Sequence, residues 1–194
     1  MRARPAPTAD PSHPRPRGRA GGGEPAPSLA KVLRTLVRLE ERAARLYSRF
    51  YQRFRAYPPV AAAWWDMAMD EYGHAGILRA VQGLAPPTRA AGDLGSRVRP
   101  LVRILRECER RGAGAVSLRT ALDLAITIET SELDQIGKEV LRSLRRDLPP
   151  VAQKAFGEHG DHLNRLTRAV SKFGDEHLSR RVAQIHRTLA RPGP

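Results

Sequence analysis

The sequence predicts an all-α protein: a four-helix bundle with a long crossover between its second and third helices, and an extra helix at the C-terminus. Three observations predict it. Apolar residues recur at steps of three and four along several long segments. Those segments begin and end at residues that start and stop helices. One connection, residues 84–116, is too long to join neighbouring antiparallel helices and suits a bundle with one crossover.

Composition sets the bounds. The chain has 194 residues, enough for one domain with a sizeable core plus a tail. Hydrophobic residues make up 41% and charged residues 28%, as in soluble helical proteins. The single cysteine, Cys108, excludes a disulfide framework, a CxxC metal knuckle and a redox dithiol. One thiol fits a reducing cytosol. The net charge of +14 allows a nucleic acid, an anionic surface or an acidic partner. Heavy use of arginine on ordinary solvated faces accounts for it equally simply, and no binding motif accompanies the charge. No apolar run is long enough to span a membrane, and the basic N-terminus lacks an apolar signal region. The expected compartment is the cytoplasm.

Residues 1–27 are dominated by Pro, Gly, Arg and Ala, and are expected to form a disordered tail. Its arginines could touch an anionic partner. The bundle is expected over residues 28–173. Ser28 caps a first helix running to about Arg55, with Leu29, Val32, Leu33, Leu36, Ala43, Tyr47, Phe50 and Phe54 on one stripe. Arg34, Arg38, Arg42, Arg45 and Arg49 take the other side. Glu40 falls inside the stripe, whereas Glu41 points about 100° away. Tyr57-Pro58-Pro59 starts a second helix, which reaches about Gly83. Its stripe is Val60, Trp64, Met67, Glu71, His74, Leu78 and Val81.

Within the crossover, Pro100–Arg111 reads as a short helix ended by Gly112-Ala113-Gly114. A third bundle helix is expected from Ser117 to about Arg146, with Glu129 and Glu132 interrupting the stripe of Leu118, Leu122, Ala125, Ile136 and Val140. A fourth is expected from about Pro150 to Phe173, with His159 and His162 among Ala152, Ala155, Leu166, Ala169 and Phe173. Glu158 lies at that stripe's edge. Residues 174–194 supply the last helix and a tail. Leu178, Val182, Ile185 and Leu189 form its stripe, with His177 and His186 on the surface, and it is expected outside the bundle or at a partner surface.

Seven inward polar residues stand out: Glu40, Glu71, His74, Glu129, Glu132, His159 and His162. An uncompensated buried carboxylate costs several kcal/mol, roughly, even after relaxation. Four of them with three imidazoles in one core must neutralise one another or bind cations. Mixed carboxylate and imidazole donors suit iron or manganese. Other readings stay open: Glu40 as the partner of an arginine, Glu132 as an acid orienting His74 or His162, and His159 as a core histidine. Tyr47 and Tyr72 either hydrogen-bond the ligands or pack in the core. Trp64, Trp65 and Met67 read as packing.

The chain resembles rubrerythrins and related ferritin-like di-iron carboxylate proteins. The resemblance rests on Glu40-x-x-Ala43-x-x-x-Tyr47, Glu71-x-x-His74-Ala75, Ala125-Ile126-x-x-Glu129-x-x-Glu132 and His159-x-x-His162-Leu163. It covers roughly residues 29–170, in register with the four stripes. It implies two irons per chain, or manganese or another divalent metal, and peroxidase or ferroxidase-type redox activity. Glu71 and Glu129 would bridge, His74 and His162 would each bind one metal, and Glu40 would be terminal. Glu132 or His159 would complete the set. The family also implies a homodimer.

Two departures stand against the pattern. His159 occupies a position where the family has glutamate, and Glu158, four residues from His162, is a substitute ligand. No rubredoxin-like cysteine module follows, so an external electron donor is required. The alternative reading is a metal-poor scaffold or an iron-handling protein whose basic surface binds nucleic acid or another anionic partner.

Overall fold

The computed structural model describes residues 27–84, 90–131, 133–144, 150 and 162–189. They form seven helices: α1 (Leu29–Phe54), α2 (Pro58–Leu84), α3 (Leu94–Arg111), α4 (Leu118–Glu129), α5 (Leu133–Leu144), α6 (His162–Phe173) and α7 (Glu176–Leu189). The described residues contain no strand, and the protein is all-α.

α1 and α2 form the most extensive helix pair. Ser28 caps α1, its hydroxyl accepting from the Lys31 amide at 3.4 Å. The turn between the helices is short because Pro58 and Pro59 lack amide protons that a first turn leaves unbonded anyway. Tyr47 and Phe50 of α1 meet Trp64 of α2 with ring centroids 5.9 and 4.9 Å apart. The expected α1 stripe is buried throughout, and Val37, Leu39, Ala44 and Leu46 are buried as well. That second buried side faces α3, fastened by a two-pronged ion pair from Arg42 to Glu109 at 2.9 and 2.6 Å.

α3 starts six residues earlier than expected, so Pro100 lies inside it. Proline disfavours a helix interior by about 3 kcal/mol. The stripe Leu94, Val98, Leu101, Leu105 and Cys108 packs against the core on both sides of Pro100 and outweighs that cost. Gly92 makes the preceding turn with φ of 57°, in the left-handed region. Gly95 allows Pro27 to lie directly on α3: a Cβ there would come within 2.1 Å of the proline ring.

The expected third helix is two helices, with the first ending before Thr130 and Ser131 and the second starting at Leu133. Thr130 turns its hydroxyl back to the Ile126 carbonyl at 2.6 Å, and the Ser131 amide makes a tight bond to the Ile128 carbonyl at 2.9 Å. The Ser131 hydroxyl then accepts from the Leu133 amide at 3.4 Å, restarting the chain as α5. The stripe continues through the break, with Ala125, Ile126, Ile136 and Val140 all fully buried.

Of the expected fourth helix, α6 is the described part. Leu166, Ala169 and Val170 are buried against α2 and α4. α7, capped by Asp175 through the Leu178 amide at 2.9 Å, packs on α6 and α4 and buries Leu178 and Val182. It therefore extends the core instead of lying apart from it. Arg181 reaches from α7 to Asp123 and Thr127 of α4. His177 is exposed as expected, but His186 is partly buried and bonds Thr167 at 2.9 Å. No helix among the described residues is long and apolar enough to cross a membrane.

Candidate metal centre

The middle of the α1–α2 pair holds the acids. Glu40 and Glu71 are each 2% exposed, and they are the buried charged residues of the described core. No lysine or arginine is buried among the described residues. Both acids sit where the stripe demands an apolar residue, flanked by Leu36 and Ala43 on α1 and by Met67, Ala75 and Leu78 on α2. His74 follows Glu71 by one turn, so the two share a face, with Nδ1 3.4 Å from the Glu71 carboxylate. One donor atom from each of Glu40, Glu71 and His74 lies within 4.8 Å of the others. Glu41, one residue on, is directed outward and pairs with Arg79 of α2.

Tyr47 links this group to α4. Fully buried one turn beyond Ala43, it donates a hydrogen bond to Glu129 at 2.7 Å. Burial holds its hydroxyl well above the ordinary tyrosine range, and the negative charges of Glu129 and Glu71 push it the same way. Tyr47 is therefore a neutral donor between the two acids.

α6 runs antiparallel to α2. Arg165 pairs with Asp70 at 2.9 Å. Met67 and Ala63 share a small void with Ala169 and Phe173. One turn further along this register, the start of α6 at residue 162 is level with His74.

The structure thus brings together Glu40, Glu71 and His74, and holds Glu129 by a hydrogen bond from Tyr47, whose hydroxyl feels the Glu71 charge. Tyr72, expected as a residue of the core or beside the ligands, is 41% exposed and is corrected to a surface residue. Its place next to Glu71 in sequence puts it about 100° round the helix. Glu132, Glu158, His159 and the His162 side chain lie outside the described residues. The Arg165–Asp70 pair and the break after Glu129 were not foreseen. The Thr130-Ser131 pair was the available signal for the break.

Two buried carboxylates and one partly buried imidazole form a donor set for a hard or borderline cation. The oxygens would neutralise its charge and the imidazole would add a nitrogen donor. No protein-family model, curated protein or solved structure matches this chain.

Proposed function

We propose that this chain is a ferritin-like metal-binding protein of the rubrerythrin type, holding a di-iron centre and carrying out peroxide reduction or ferroxidase-type chemistry. The observation that carries the reading is the convergence of Glu40, Glu71 and His74, with both acids 2% exposed. Burying two carboxylates a few ångströms apart is favourable once a cation neutralises them. That weighs for a metal protein over a metal-poor scaffold. Glu129, hydrogen-bonded to Tyr47, would extend the donor set toward a second metal, with His162 as the proposed ligand on that side.

When bound, iron would supply the one-electron steps between its ferrous and ferric states. The chain's own residues do the rest. Glu40 and Glu71 set the charge of the site. Tyr47, kept protonated by burial, fixes the orientation of Glu129. Trp64 and Phe50 stack beside Tyr47 and exclude water from that side. A separate electron donor would supply the electrons.

The reading is tested by loading the protein with ferrous iron anaerobically and adding peroxide. Peroxide consumption with oxidation of the iron, both lost in Glu71→Ala, is the expected result. Equal consumption by wild type and variant would refute it.

A further inference from the structure

Charge is unevenly shared among the helices. α1 carries seven lysines and arginines against two acids, and α3 carries six arginines against two acids. α2 carries one arginine against three acids. Arginine spread evenly over solvated faces would not divide this way.

α1 and α3 run parallel. Pro27 lies against Gly95 at one end, and Arg42 meets Glu109 further along. On α1, Lys31, Arg34, Arg38, Arg45 and Arg49 are exposed. At 100° and 1.5 Å per residue they fall within about 60° of one another and make a ridge roughly 27 Å long. On α3, exposed Arg99, Arg103 and Arg106 form a second ridge, level with the first half of the other. A groove lined by Thr35, Val98 and Val102 lies between them. The acids near this face are already neutralised: Glu41 by Arg79, Glu107 by Arg110 and Glu109 by Arg42. Arg34, Arg38, Arg49, Arg103 and Arg106 have no ion pair among the described residues.

We propose that the α1–α3 face binds duplex nucleic acid through its phosphates, without reading base sequence. Arginine dominates both ridges, and its planar fork grips phosphate with two hydrogen bonds. Packed helices set the two cationic lines about 8–10 Å apart, the same order as a duplex groove, roughly 6–12 Å wide. Two such lines meet the two phosphate strands beside a groove, and contacts of this kind position a protein without carrying sequence information. The exposed large apolar side chains of the described residues lie elsewhere: Trp65, Met69, Tyr72 and Leu84 on α2, and Tyr57 in the turn before it. A single strand is held by stacking its bases on aromatic rings. A helix lying on a membrane buries an apolar side in it. The α1–α3 face offers neither, which leaves the duplex backbone as the polyanion it fits.

The inference is independent of the metal. Fluorescence anisotropy of the full chain with a labelled DNA duplex, titrated at several salt concentrations, tests it. Log affinity should fall linearly with log salt, with a slope of about −0.9 for each phosphate neutralised. Arg38→Gln combined with Arg106→Gln should weaken binding about tenfold or more near ~0.1 M salt and make the slope shallower by about 2. Arg34→Gln combined with Arg103→Gln should do the same, so if circular dichroism shows one variant unfolded, the other is read. Arg168→Gln combined with Lys172→Gln, exposed cations of α6, should leave the slope unchanged. Two duplexes of unrelated sequence should bind alike at equal salt. The N-terminal arginines stay in every variant, so a slope unchanged in the folded α1–α3 variants would overturn the proposal. So would a wild type that binds no duplex, that binds a single strand more tightly, or that binds phosphatidylserine vesicles in place of DNA.

Discussion

The α1–α2 pair and the α4–α5 segment carry the same signal, ligand-type residues one turn apart inside an apolar stripe, yet they fold differently. On α2, Glu71 and His74 occupy an unbroken helix of 27 residues, and Glu40 meets them from α1. After Glu129 the helix stops, and a second one starts at Leu133. What differs is the two residues between the paired positions. Tyr72 and Gly73 leave the α2 backbone bonds in place. Thr130 and Ser131 offer hydroxyls that compete for them. A continuous stripe guarantees burial but does not guarantee a continuous helix.

On the proposed function, the α1–α2 pair supplies the converged donors Glu40, Glu71 and His74, and α4–α5 supplies the remainder. The largest expected effect tests that order. Glu71→Ala should lose all bound metal with helicity unchanged, whereas Glu132→Ala should lose no more than one equivalent, both read by metal analysis after gel filtration. Equal losses would erase the distinction between the halves. His159→Glu, which puts a carboxylate where the family pattern has one, should raise iron content and peroxide turnover. If neither changes, His159 is not a ligand and Glu158 takes its place.

Tyr47→Phe probes the link between the halves. It removes the hydrogen bond to Glu129 and should cost about 1–3 kcal/mol in denaturant unfolding of the metal-free protein. Metal retained at the α1–α2 half and weakened at the other is the expected loading pattern. Replacing Thr130 and Ser131 together by alanine should extend the helix and gain helicity, at a stability change within about 1 kcal/mol. Unchanged helicity would place the cause of the break elsewhere.

The smallest effect concerns Arg42 and Glu109, which fasten α3 to α1. The hydrogen bonds from Arg42, followed by its charge, hold the Glu109 carboxyl below the ordinary glutamate range. A depressed folded-state value stabilises the protein above the ordinary range, and that contribution is lost as pH falls through the folded value. The pair is partly exposed, so Arg42→Met should cost about 0.5–1 kcal/mol near neutral pH. The difference from wild type should vanish in acid. A cost that persists there would assign it to lost packing of the arginine stem.

Much of this was legible in the sequence. α1 and α2 read correctly because stripe, cap and prolines agree, and Glu40 and Glu71 were visible as acids in apolar positions. α3 was misjudged at its start because Pro100 looked like a first-turn proline, while Leu94 and Val98 already carried the stripe. The break after Glu129 was hidden because apolar spacing carries across it. Tyr72 is exposed because it lies off the inward stripe of α2, and the apolar outer face of α2 is masked in the sequence by that stronger stripe.

The central claim is that the buried acids of α1 and α2 exist to hold metal. Elemental analysis of protein purified without added metal tests it most directly. About two irons per chain, as a di-iron bundle requires, is the predicted result, with none retained by Glu71→Ala. A folded wild-type protein that carries no metal and takes up none when offered ferrous iron would contradict it.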